Sequence, residues 1–170
     1  MIYFTSVALF DSTIQPLPPL LTRLGNSLVA IGAFPPETAP NHVLINEYAA
    51  AEGIMAHTDG PAYECRTATV SIGGDVIFKL WPRNRGDNIN NMSNGGNSDG
   101  GDGCATPAME VLLHGTGSLI LFTNDAYTNH CHEIKETVKE VTSDVCANEV
   151  AGVLVKRGYR VSLTFRFKKL

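Results

Sequence analysis

The sequence is poor in charge and shows little bias in its sign. Charged residues make up 18% of the chain, with 13 Lys and Arg against 17 Asp and Glu, for a net charge of -4. That balance gives no broad electrostatic pull toward a polyanion. The basic residues that do cluster come late, at Lys156, Arg157, Arg160, Arg166, Lys168 and Lys169. A solvated edge strand is the expected setting for Lys168 and Lys169. No apolar run reaches the ~20 residues that a membrane-spanning helix needs, so no membrane partner is expected. The opening MIYFTSVALFDSTIQP has no basic lead and carries Asp11, which argues against a signal peptide and for a cytoplasmic or nuclear protein. The cysteines, Cys65, Cys104, Cys131 and Cys146, form no C-x-x-C pair. This removes the usual zinc and thioredoxin-like signatures and leaves free thiols in a reducing compartment as the simplest reading.

At 170 residues the chain is long enough to bury a core, and its length suits one domain. Pro18 to Gly32 is the one stretch with helical spacing. Two prolines suit its first turn, Leu20, Leu21, Leu24, Leu28 and Ile31 share a side, and Gly32 can end it. From Asn41 the period changes to two. HVLINEY, TATVSIG, DVIFKLW, SLILFTN and YRVSLTFRF are short, rich in β-branched and aromatic residues, and bounded by turn formers. Sandwich, barrel and jelly-roll architectures all accommodate such a run. Residues 84–103 read NRGDNINNMSNGGNSDGGDG and are expected to form a disordered insert between strands. A phosphate-cradling role for these glycines would need a following helix, and no helical pattern follows.

Three short patterns can carry chemistry. In extended backbone, residues i and i+2 project to one face, so His57 and Asp59 can reach one metal ion. A second histidine from a distant strand would complete the two-His-one-carboxylate set typical of non-haem Fe(II) oxygenases. The strand Arg160-Val-Ser-Leu-Thr-Phe-Arg166 alternates cleanly, with Arg160, Ser162, Thr164 and Arg166 on one face and Val161, Leu163, Phe165 and Phe167 on the other. At ~3.3 Å per residue the two arginine Cα atoms lie roughly 20 Å apart, a spacing that suits the two ends of a dicarboxylate. Taken alone, that strand reads more readily as an exposed polar face with charges for solubility. Asn46 and Tyr48 form a third i, i+2 pair able to hydrogen-bond an anion, or simply a polar stripe.

In this order the patterns resemble the AlkB family of Fe(II)/2-oxoglutarate dioxygenases. The stretches NHVLINEYAAAEGIMAHTDGPAY, SLILFTNDAYTNHCHEI and RGYRVSLTFRF are similar to the subfamily of the sixth AlkB homologue. The resemblance implies a mainly β fold, a double-stranded β-helix or jelly roll with one or two flanking N-terminal helices. It divides the chain into a shortened helical segment at 1–40 and a core at 41–170. It implies His57, Asp59 and His132 as Fe(II) ligands, with His132 rather than His130 selected by the pattern after Tyr127-Thr128. Arg160 would hold the far carboxylate of 2-oxoglutarate, helped by Tyr48 and Asn46. Arg166 would lie nearer the metal and Ser162 between the arginines, where many relatives have Asn. His114 is read as an ordinary loop histidine.

The activity implied is oxidative demethylation or hydroxylation using 2-oxoglutarate and dioxygen, with a methylated nucleic acid as the expected substrate and a monomer as the expected state. Two other readings stay open: the same chemistry on a protein side chain, and a catalytically silent binding module of the same fold. The 45 residues before Asn46 hold one basic residue, Arg23, so a substrate-gripping lid is expected to be shortened or absent. Tyr63, Trp81 and Tyr127 are candidates for base stacking, with core packing the commoner fate of such residues.

Overall fold

The computed structural model describes residues 16–83 and 107–169. The expected insert at 84–103 lies outside the described residues. One helix, α1 (Pro19–Ala30), precedes the strands, and a short 3-10 turn follows it at Pro36–Thr38. Proline stands in the first helical turn, and Gly32, with φ 78°, ends the helix in the left-handed region, as the sequence pattern predicts.

The strands are β1 (His42–Tyr48), β2 (Ile54–His57), β3 (Tyr63–Gly73), β4 (Val76–Pro82), β5 (Met109–Leu113), β6 (Ser118–Thr123), β7 (His130–Ile134), β8 (Lys139–Val141), β9 (Leu154–Lys156) and β10 (Arg160–Lys168). A five-residue helix, α2 (Asn124–Thr128), joins β6 to β7. Two four-stranded antiparallel sheets form, ordered β1-β10-β3-β6 and β2-β7-β4-β5, with β8-β9 as a separate hairpin. With that hairpin set aside β10 is the eighth strand. The orders then read 1-8-3-6 and 2-7-4-5, which is the jelly-roll arrangement.

Period two decides which residues enter the core. Val76, Phe78 and Leu80 of β4 point between the sheets, where they meet Phe122 of β6, Ile134 of β7 and Tyr127 of α2. The opposite face of the first sheet packs beneath α1, through Phe165 and Ala68 against Leu28, Ala33 and Phe34. A third cluster, Ile77, Leu112 and Val155, seats the β8-β9 hairpin on the outside of the second sheet. The buried Arg157 ties this hairpin down. It bonds Glu140 at 3.1 Å and the carbonyls of Lys135 and Glu52 at 3.0 Å each. The Glu52 bond holds the chain just before β2, so the hairpin steadies the approach to the first candidate ligand.

One expectation is corrected here. The strand carrying Lys168 is not an edge: β10 is paired on both sides, by β1 and by β3. Its polar face is also not a solvated one. Arg160, Ser162, Thr164 and Arg166 are all buried, because this face looks into the sandwich and the apolar face lies under α1. The alternation is the same in either orientation, and only the packing of the sheets chooses between them.

Candidate metal and cosubstrate site

His57 ends β2 and His132 lies in β7, directly opposite it across the strand pair. Their rings are 4.2 Å apart between centroids and inclined by 59°. Asp59 follows two residues after His57, past the end of the strand. One ligand atom from each of His57, Asp59 and His132 falls within 4.8 Å of the others. The β2-β7 pairing thus brings together groups separated by 75 positions of sequence.

The donor chemistry fits a divalent iron. The Nδ1 of His57 faces the Met55 carbonyl at 2.7 Å, so a proton there satisfies that oxygen and frees Nε2 to ligate. His132 is 8% exposed and rests against Phe78 and Phe122. Burial, reinforced by the neighbouring His57, pushes its pKa down to about 4. It is therefore neutral near pH 7, as a metal ligand must be. Asp59 is held from both sides: Thr67 donates its hydroxyl to Oδ2 at 2.5 Å, and Arg166 donates to Oδ1. A set of two histidine nitrogens and one carboxylate suits non-haem Fe(II).

The second group of candidates meets on the inner face of the first sheet. Tyr48 stands opposite Arg160, Asn46 opposite Ser162, and His42 opposite Arg166 across β1 and β10. The Arg160 guanidinium carbon sits 5.1 Å from the centre of the Tyr48 ring, and Asn46 donates its amide to the Tyr48 hydroxyl at 3.2 Å. Arg160 is 3% exposed. It donates from Nε to the Ser71 hydroxyl at 2.8 Å. Among the described residues no carboxylate lies within ion-pair distance of it, and burial pulls its pKa below the ordinary value. A desolvated guanidinium without a counter-anion is costly, and a bound carboxylate removes that cost. Arg166 differs, since Asp59 already occupies it.

His130 stays outside the cluster, 3.4 Å from Asp125 at the surface. His114 likewise pairs loosely with Asp75, at 3.8 Å. Trp81 pairs in register with Cys131, one position along from the Leu80–His132 pair, and so projects from the opposite face of the sheet to His132. Tyr127 packs in the core and donates its hydroxyl to the Gly60 carbonyl at 3.1 Å, steadying the loop that carries Asp59. Burial, with the nearby Asp59 charge, raises its pKa to about 12. The sequence reading missed Thr67 and Ser71, which hold Asp59 and Arg160. Their signal lay in TATVSIG, where Thr67, Thr69 and Ser71 form a polar stripe in an otherwise apolar strand.

Comparison with known proteins points the same way. Residues 4–166 match the 2OG-Fe(II) oxygenase superfamily. The Danio rerio protein named "Probable RNA/DNA demethylase ALKBH6" is 31% identical over 158 residues, covering 89% of this chain and 63% of that protein. The solved structure of OsALKBH1 superposes with a TM-score of 0.50 at 15% identity, covering 88% of this chain and 64% of that one, and supports the fold alone. The chain thus spans a little under two thirds of the length of these relatives. With its jelly roll and its His-x-Asp and distal His in place, the chain belongs to the 2OG-Fe(II) oxygenase superfamily.

Proposed function

We propose that this chain carries the catalytic core of an oxygenase that removes a methyl group from nucleic acid by hydroxylating it. The observation that carries the reading is the meeting of two features in one sandwich: the His57, Asp59 and His132 donors, and a buried Arg160 with no carboxylate partner among the described residues. The family implies Fe(II) and 2-oxoglutarate. Bound iron supplies a coupled oxidation, in which dioxygen converts 2-oxoglutarate to succinate and carbon dioxide and hydroxylates a C–H bond of the substrate.

The protein's part is positional. His57, Asp59 and His132 would hold the iron, whose chemistry would be the oxidation just described. Arg160 binds the far carboxylate of 2-oxoglutarate, while Tyr48 and Asn46 close over it and Ser162 lines the floor. Arg166 and Thr67 keep the Asp59 carboxylate turned toward the histidines. The apolar wall of Phe78 and Phe122 behind His132 excludes water from the metal's protein side. Once hydroxylated, an N-methyl carbon leaves as formaldehyde without a protein base. The nucleic-acid assignment is supported by the RNA/DNA demethylase name of the Danio rerio relative.

The test is turnover of the purified chain with iron, 2-oxoglutarate and dioxygen. Succinate should form above the level of a His57→Ala/Asp59→Ala control, with formaldehyde released from methylated oligonucleotides and not from methylated peptides. Release from peptides alone would move the substrate to protein. No succinate above the control would leave only a silent binding module.

A further inference from the structure

We propose that Tyr63 is a positioning residue for the metal site, acting through Arg166 on Asp59. The inference rests on the functional reading above. The chain of contacts begins with Arg166, which donates to the ligand oxygen Oδ1 of Asp59. The Arg166 guanidinium carbon lies 4.9 Å from the centre of the Tyr63 ring, within cation–π range. The Tyr63 ring also meets the His42 imidazole, with centroids 5.3 Å apart and planes inclined by 45°. His42 in turn stands opposite Arg166 in the β1-β10 register. The Tyr63 ring of β3, the His42 ring of β1 and the Asp59 carboxylate thus gather about one guanidinium.

The backbone is shaped to bring Tyr63 there. Arg166 pairs with Thr67 of β3, but the next pairing is Lys168 with Tyr63. One residue of β10 therefore stands against three of β3, and this bulge returns Tyr63 over the arginine that regular pairing would carry past it. Arg166 needs such support. It is 8% exposed, its Nε has no hydrogen-bond partner among the described residues, and the bond to Asp59 alone leaves the guanidinium free to pivot about that contact. An aromatic face attracts the cation without competing for the N–H groups that point at Asp59. The hydroxyl of Tyr63 takes no part in this, so the ring and not the phenol is the working element.

The experiment is titration of metal-free protein with Co(II), read by its visible ligand-field absorption, for wild type, Tyr63→Phe, Tyr63→Leu, Arg166→Gln and the double variant Tyr63→Leu/Arg166→Gln. Tyr63→Leu should weaken Co(II) binding roughly 10- to 100-fold, the range for residues that orient a ligand. Tyr63→Phe should stay within about threefold of wild type, because it keeps the ring face. In the double variant the Tyr63→Leu effect should vanish, since its route runs through Arg166. Equal affinity of Tyr63→Leu and wild type, equal losses in Tyr63→Phe and Tyr63→Leu, or additive losses in the double variant would each overturn the inference. If Tyr63→Leu fails to fold, Tyr63→Met takes its place in both comparisons, and Co(II) affinity equal to wild type in Tyr63→Met overturns the role of the ring. Wild-type protein that binds no Co(II), or binds it undiminished in the His57→Ala/Asp59→Ala variant, overturns the metal site itself rather than Tyr63's part in it.

Discussion

Arg160→Met should weaken 2-oxoglutarate binding severely and yet leave the ligand-free protein as stable as before, or more so. Two opposite terms produce this pair of effects. The arginine is 3% exposed and, among the described residues, has no carboxylate within ion-pair distance. Without ligand it is a buried cation carrying a desolvation cost that the Ser71 hydroxyl and the Tyr48 ring offset only in part. Methionine removes that cost and keeps much of the volume, while the Ser71 hydroxyl loses one bond worth about 1 kcal/mol. With ligand, the guanidinium forms a charge-assisted fork with the far carboxylate. Truncating one partner of such a buried pair costs about 2–4 kcal/mol. At 1.4 kcal/mol per factor of ten, affinity should fall roughly 30- to 1,000-fold. Anaerobic calorimetric titration of 2-oxoglutarate into metal-loaded protein measures the first quantity, and denaturant melts of the metal-free protein measure the second. An arginine that serves only the fold gives the reverse pattern, with lost stability and affinity changed less than about fivefold. That result would refute the assignment.

Three other substitutions probe separate parts of the argument. Thr67→Val keeps the shape of a fully buried side chain but removes the hydroxyl that bonds Asp59 at 2.5 Å, so Co(II) affinity should fall roughly tenfold. Affinity unchanged in that variant would show that Asp59 needs no such support. Burial tends to raise the Glu110 pKa, but bonds from the Ser143 N–H and hydroxyl and the Lys79 ammonium outweigh this and hold it below its ordinary 4.5. Because the folded value is depressed, its stabilising contribution is complete above pH 4.5 and is lost as pH falls below it. Glu110→Gln should cost about 3 kcal/mol at pH 7, with a smaller further loss on acidification than wild type shows. Acid melting curves that run parallel for the two proteins would contradict this. At Gly53 an added Cβ would lie 2.2 Å from the Ile134 carbonyl oxygen, so Gly53→Ala must push β2 away from β7. Thermal melts should show a loss of about 2–4 kcal/mol, with weaker metal binding because His57 and His132 face each other across that junction.

What could be read in the sequence follows the range over which each signal acts. An i, i+2 relation is local, so Asn46 with Tyr48, and Arg160 with Ser162 and Arg166, could be placed on common faces before any fold was known. Strands of six residues or more, such as β1, β6 and β10, show enough alternation to be seen. β2, β8 and β9 have three or four residues each, too few to distinguish a period of two from chance. Yet β2 carries His57. Its place came from the His-x-Asp pattern and the family resemblance, not from strand propensity. Register is longer in range still. No local feature of Thr67 or Ser71 says that they stand beside Asp59 and Arg160, because those neighbours arrive from loops and strands 8 and 89 positions away.

The same distinction explains the one orientation that local reasoning assigned wrongly. An amphipathic strand tells which residues share a face, but not which face is wet. For β10 the usual assumption of polar residues outward would put Arg160 and Arg166 in solvent, where their spacing would carry no chemical meaning. Two facts reverse it. Helix α1 lies over Phe165 and Leu163 and makes that face a core, and β10 is paired on both edges, so the arginine face can only look toward the second sheet. Buried arginines on an inner sheet face destabilise a fold unless something anionic meets them. Asp59 meets Arg166, and among the described residues no carboxylate meets Arg160. A protein selected for stability alone would place an apolar residue at position 160, since replacing buried charge by well-packed apolar groups is often neutral or stabilising. On the function proposed above, an unpaired cation at this point is half of an ion pair whose other half would arrive with the cosubstrate, on the sheet facing the one that carries His57 and His132.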